Sequence, residues 1–147
     1  MNTSAASAPR ALAPEARSGS APGAVAGRVA VLLRLEGLAV FAAALAAFSQ
    51  IGASWLEFAA LFLVPDLAMA AYLAGPRLGA SVYNLAHTYV APLALGAAGA
   101  ALGSLGVAAI ALVWIAHIGF DRALGFGLKY ATGFGDSHLG RIGRAAS

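Results

Sequence analysis

Trp114 to Leu139 reads W-I-A-H-I-G-F-D-R-A-L-G-F-G-L-K-Y-A-T-G-F-G-D-S-H-L, and the fold turns on how this stretch is read. It starts inside an apolar run and ends in a glycine-broken, basic tail. On the way it places His117, Asp121, Arg122, Lys129, Tyr130, Asp136 and His138. Ionisable groups are rare where lipid surrounds a chain, so each one needs a cause. The stretch reads as the end of a membrane span that closes a polar site at one depth of a small helical bundle.

Composition supports that setting. Of 147 residues, 61% are apolar and 10% charged, whereas a soluble domain carries about a quarter charged residues. The apolar residues lie in runs close to the roughly twenty that a span needs, and the length allows one bundle. The absence of cysteine excludes disulfides, thiolate metal ligands and cysteine nucleophiles. The pI is near 9.8, but the basic residues flank hydrophobic runs and form no aromatic-interleaved patch. Membrane lipids are therefore the expected partners, and nucleic acid is not.

Working outward, residues 1–27 are rich in Ala, Ser, Pro and Gly and read as a disordered cytoplasmic tail. A cleaved signal peptide fits less well, because the apolar run begins late and carries Arg34 and Glu36. An all-α bundle of four transmembrane helices is expected over residues 28–130, with spans at about 29–49, 54–74, 77–101 and 104–127. Ser54 and Glu57 have capping-box spacing at the start of the second span. Pro65 lies inside that span and Pro92 inside the third. Gly99 and Gly103 have the spacing that lets helices approach closely, which raises a homo-oligomer as an expectation. Residues 131–147 form a glycine-rich basic tail, read either as a lid under the bundle or as an ordinary turn.

Lysine and arginine set the orientation. Arg10, Arg17, Arg28 and Arg34 precede or open the first span. Arg77 follows the second, and Arg122, Lys129, Arg141 and Arg144 follow or close the fourth. The other two loops have none. Four spans with both termini in the cytoplasm of a bacterial inner-membrane protein fit every one of these positions.

That topology brings Glu36, Asp66, Tyr83, Asn84, His87, His117 and Asp121 to similar depth in the inner leaflet, at about 1.5 Å of rise per residue. Tyr83 and His87 share a helix face, as do His117 and Asp121. A His-x-x-x-Asp pair suits a metal, or a carboxylate that fixes the ring tautomer for acid–base work. His87, His117, Asp66 and Asp121 are thus candidate ligands of a divalent metal. The same four with Glu36 are the candidate catalytic groups. Tyr83, Asn84, Arg122, Lys129, Tyr130 and His138 are candidates for holding a substrate. A plainer arrangement stands beside this one: Arg34 and Arg122 pairing with the carboxylates in a structural network.

Four segments carry a family resemblance: P-D-L-A-M-A-A-Y at Pro65 to Tyr72, Y-N-L-A-H at Tyr83 to His87, H-I-G-F-D-R-A-L-G-F-G-L-K-Y at His117 to Tyr130, and G-F-G-D-S-H-L-G at Gly133 to Gly140. Over roughly residues 33–143 the chain resembles a group of small bacterial integral membrane proteins known as domain of unknown function 4260. Phe126 stands where that pattern has tyrosine, and Ser137 where it has threonine. The resemblance implies a membrane protein and assigns no activity. The expected function is a metal-assisted or acid–base enzyme acting on a lipid or other apolar substrate. The alternatives are a small proton-coupled carrier and a non-catalytic assembly partner of a membrane complex.

Overall fold

A computed structural model describes residues 23–141. Most of the expected N-terminal tail, and residues 142–147, lie outside the described residues. Helix α1 spans Gly27–Gln50, a stretch dominated by Ala, Leu, Val and Phe with no proline to stop it. Helix α2, Trp55–Phe62, starts at Ser54, whose hydroxyl accepts from the N–H groups of Leu56 and Glu57 at 3.2 and 3.5 Å. It passes into a 3-10 segment, Val64–Ala74. Helices α3, Pro76–Ala86, and α4, Val90–Ala101, follow. Helix α5, Leu105–Leu124, is capped by Ser104 at its start and by Gly125, at φ 94°, at its end. Strands β1, Asp136–Ser137, and β2, Gly140–Arg141, pair as a short antiparallel hairpin.

Among the described residues, three helical stretches are long and apolar enough to cross a membrane: Gly27–Gln50, Trp55–Ala74 and Leu105–Leu124. The single span expected over residues 77–101 is instead two helices, α3 and α4, with a break at residues 87–89. Proline explains both interruptions. A proline ring clashes with the carbonyl four residues back and offers no N–H to it. Pro92 therefore disrupts the helix at Thr88, inside the break, and Pro65 disrupts it at Leu61, one residue before α2 ends. Eleven residues of 3-10 geometry are an uncommonly long run.

Helix α5 is the centre of the molecule. About 39% of its apolar window is buried, against 11% for α1 and 6% for the second stretch. It meets α1 at two glycines. A Cβ on Gly119 would lie 2.7 Å from the Phe41 nitrogen, and one on Gly37 would lie 2.9 Å from the Gly119 carbonyl oxygen, so the two backbones cross in contact. Gly99 of α4 is used in the same way, because its Cβ would lie 2.8 Å from the Ala108 nitrogen of α5. Gly103 stands in the α4–α5 turn at φ 63°. Gly99 thus serves packing within the chain and Gly103 the turn that follows. Phe48 packs on Trp55 and Phe58, and Phe58 on Phe62, with centroids 5.0–5.5 Å apart. These rings lock α2 onto α1 and carry the packing inward to His117, 5.3 Å from Phe62.

The glycine-rich tail folds back under the bundle. The Leu128 carbonyl accepts from the His138 N–H at 3.0 Å, the Tyr130 N–H reaches the Asp136 carbonyl at 2.9 Å, and Lys129 bridges to Ser137. Ser137 and Leu139 are buried. The Val25 N–H donates to the His138 carbonyl at 2.9 Å, tying the segment before α1 to the hairpin.

Candidate metal centre

Each of the four central side chains sits where the local chain puts it. Asp66 follows Pro65 in the first turn of the 3-10 segment, and His87 is the residue at which α3 stops. Both therefore stand at a proline-induced break. His117 and Asp121 lie one turn apart on the unbroken α5. Each half of the site, broken and unbroken, supplies one imidazole and one carboxylate.

The four converge. His117 Nε2 is 3.2 Å from His87 Nε2. Asp66 Oδ1 is 3.4 Å from His87 Nε2 and 3.5 Å from His117 Nε2. Asp121 Oδ2 is 3.6 and 3.8 Å from the same two nitrogens. All four ligand atoms lie within 4.8 Å of one another. Ligands about 2.0–2.1 Å from a tetrahedral ion stand about 3.3 Å apart, which is close to five of these separations. The rings are almost wholly buried at 2% exposure, while the side chains of Asp66 and Asp121 keep 29% and 15%. Access to the centre is therefore from the carboxylate side.

Tautomers sharpen the picture. His87 Nδ1 lies 2.9 Å from the Tyr83 carbonyl oxygen. A carbonyl only accepts, so Nδ1 carries the proton and Nε2 presents its lone pair to the centre. Tyr83 also stacks flat on this ring, with centroids 3.7 Å apart, and its hydroxyl donates to Asp121 Oδ2 at 3.3 Å. His117 Nδ1 is buried with no protein partner. With His117 protonated at Nδ1, two imidazole lone pairs and two carboxylate oxygens face one point, an arrangement that a cation would satisfy; with the proton on Nε2, His117 would instead donate to His87 Nε2 or Asp66 Oδ1.

The helix break leaves carbonyls to be satisfied, as a buried break must. Trp114 Nε1 donates to the Ala86 carbonyl at 2.6 Å, and Arg122 Nη2 reaches the His87 carbonyl at 3.4 Å. Arg122 Nη1 also lies 3.0 Å from His138 Nε2, while the Leu128 N–H donates to His138 Nδ1 at 2.9 Å. Burial, then the neighbouring guanidinium, lowers the pKa of His138.

The remaining candidates divide between two places. Tyr83 and Lys129 line a cavity of about 160 Å³ with Asp66, Met69, Asp121, Phe126 and Phe134. Asn84 holds the Lys129 backbone on both sides, accepting from its N–H at 2.6 Å and donating to its carbonyl at 2.9 Å. Tyr130 donates to the Gly23 carbonyl at 3.0 Å. Asn84, Arg122, Tyr130 and His138 thus brace the wall of the site and do not line the cavity. Glu36 is exposed on α1 and is not one of the four clustered groups. The arginine–carboxylate network is likewise not what forms: among the described residues Asp66 and Asp121 meet imidazoles, and the one arginine ion pair is Arg141 with Asp136 at 3.5 Å.

Sequence reasoning missed three contributors. Trp114 caps the break, and Met69 and Phe134 line the cavity. A proline one turn downstream of the break, with an indole donor on the neighbouring span, was the available signal for Trp114; nothing comparable marked Met69 or Phe134.

These features define a mostly helical protein with three stretches apolar enough to cross a membrane and a buried His/Asp cluster that could hold a metal. The model of the family called domain of unknown function 4260 matches residues 30–142, and the chain belongs to that family. No curated protein and no solved structure matches it.

Proposed function

We propose that the chain is an integral membrane metalloenzyme that binds one divalent ion through Asp66, His87, His117 and Asp121. The convergence of those four ligand atoms carries the reading. Charge supports the choice of a divalent ion: two carboxylates and two neutral imidazoles hold a double negative charge that such an ion cancels, which a low-dielectric setting favours. The mixed N/O donor set suits zinc or a neighbouring first-row ion. Bound there, the ion would supply Lewis-acid activation of a substrate oxygen or of water. Tyr83, through its bond to Asp121, would orient that carboxylate, and the cavity would receive a lipid or other apolar substrate. In this reading α3 and α4 together make a fourth crossing, and both termini face the cytoplasm of a bacterial inner membrane, in keeping with the placement of Lys and Arg.

Metal analysis of the purified protein tests it. About one ion per chain is expected, with a fall in thermal stability on chelation. An absence of stoichiometric metal together with indifference to chelator would sink the proposal.

One observation favours a second reading, a proton-coupled carrier: broken helices meeting at a polar site are a transporter device. Against it stands the crevice of about 290 Å³ beside the centre, lined by Leu61, Val64, Pro65, Ala68, Ile110 and other apolar residues, which offers no polar route. Proteoliposome flux abolished by Asp66→Asn would select the carrier.

A further inference from the structure

Lys129 lines the same cavity as the two carboxylates, and this lysine is unusually placed. It is only 4% exposed, yet among the described residues its ammonium makes no hydrogen bond and no ion pair. Its Nζ lies 4.6 Å from the ring centroid of Phe134, 5.4 Å from Tyr83 and 6.0 Å from Phe126. Ring faces attract an ammonium but do not replace an anion. All three rings line the same cavity as Asp66 and Asp121. Asn84 clamps the lysine backbone, so the head is held at this wall.

The charges then define the missing ligand. On the reading above, the divalent ion and its two carboxylates are neutral together, and Lys129 adds one positive charge at the cavity wall. A buried lysine is almost always paired. The group that completes the cavity is thus a single negative charge, with one oxygen directed at the centre and another accepting from Nζ. At about 160 Å³ the cavity holds something near benzene in size. Asp121 in the last turn of α5, and Phe126, Lys129 and Phe134 just beyond that apolar helix, line it.

We propose that this cavity is a subsite for a singly charged phosphate group, held between the metal centre and the Lys129 ammonium. The inference rests on the metal reading and assigns its substrate class: a phosphodiester, either at a lipid headgroup or free in solution. Phe126 and Phe134 keep exposed edges and form the rim through which it would enter.

The test uses the full chain loaded with Mn²⁺, with metal content measured on the same sample. Dimethyl phosphate in detergent is the free probe, phosphatidylglycerol nanodiscs are the lipid probe, and acetate is the control. Broadening of the ³¹P signal of a bound probe is expected in the wild-type chain without recourse to any variant. The arm that gives it identifies the source. Lys129→Met should weaken binding by about 10- to 100-fold, the usual worth of a charge-assisted bond, and leave metal content unchanged. Lys129→Arg should retain most of the binding. Equal binding by wild type and Lys129→Met, no broadening by either phosphate probe in metal-loaded protein, or acetate binding as tightly as phosphate would each overturn the subsite. A chain that takes up no metal overturns the metal reading instead. In that sample, Lys129-dependent binding of dimethyl phosphate, measured by calorimetry, would support the anion subsite and its loss would overturn it.

Discussion

The two halves of the bundle solve the packing problem in opposite ways. Where α1 crosses α5, Gly37 and Gly119 bring two unbroken helices together backbone to backbone, with the Arg122 stem against Gly37 and the Arg34 guanidinium against Gly125. Where α2, the 3-10 segment, α3 and α4 meet α5, prolines break the helices and the polar side chains collect at the breaks. The continuous half is a scaffold, and the broken half is where the backbone has been bent to aim side chains. The difference teaches that the chemistry depends on both. His117 and Asp121 inherit their position from the scaffold, whereas Asp66 and His87 inherit theirs from the prolines.

The largest expected effect lies where the halves join. His87→Ala or His117→Ala should abolish stoichiometric metal and remove the chelator dependence of thermal stability, read by elemental analysis and thermal denaturation. The scaffold is probed next. Gly119→Val places a methyl group against the Phe41 backbone and should destabilise the protein by about 1–3 kcal/mol, the range for overpacking. Metal should still bind in the molecules that fold. If the substitution is neutral in denaturant melts, the tight crossing is not a source of stability.

The broken half gives a more selective outcome. Pro92→Ala lets α3 and α4 approach one continuous helix and turns His87 away. Helicity by circular dichroism should rise while metal affinity falls about 10- to 100-fold, the cost typical of disturbing a ligand's support. A loss of stability without loss of affinity would show that the break does not aim His87. Trp114→Phe removes the donor to the Ala86 carbonyl and should cost about 1–3 kcal/mol, since a buried acceptor is left unpaired. Thermal shift measures it.

The smallest effect is on pH. Because burial and Arg122 lower the pKa of His138 in the folded state, the unfolded chain binds a proton more readily. The stabilising contribution is present above about 6.5, the ordinary histidine value, and is lost as pH falls through the lower folded value. His138→Gln should flatten that part of the stability profile between neutral and mildly acidic pH.

The sequence carried much of this, unevenly. His87, His117, Asp66 and Asp121 were legible because ionisable residues stand out in apolar runs and because the spacing of Lys and Arg led to the expectation of a common depth for them. Depth alone also drew in Glu36, whose side chain faces outward on α1. Apolar residues surround that helix on every side, so no stripe marks which face turns inward. Pro65 and Pro92 were visible, but the span over residues 77–101 read as continuous because hydropathy does not register a three-residue break. The folding back of the tail could not be read, since the hairpin is docked by backbone groups of Leu128, Lys129 and Tyr130 that meet residues several positions later. Trp114, Met69 and Phe134 belong to the site through proximity across helices, which spacing within one helix does not encode.

The bond from Val25 to His138 has a bearing on biogenesis. The wall that carries Lys129 is held by a hairpin that leaves the ribosome after α5, and it is buttressed by residues that left before α1. The four clustered side chains can gather as soon as the last long helix is delivered, but the cavity beside them is walled only once that later hairpin has reached back to the earlier residues. Pocket assembly is in this sense the final act of synthesis, and a bulky fusion close to Val25 would be felt at the far end of the polypeptide.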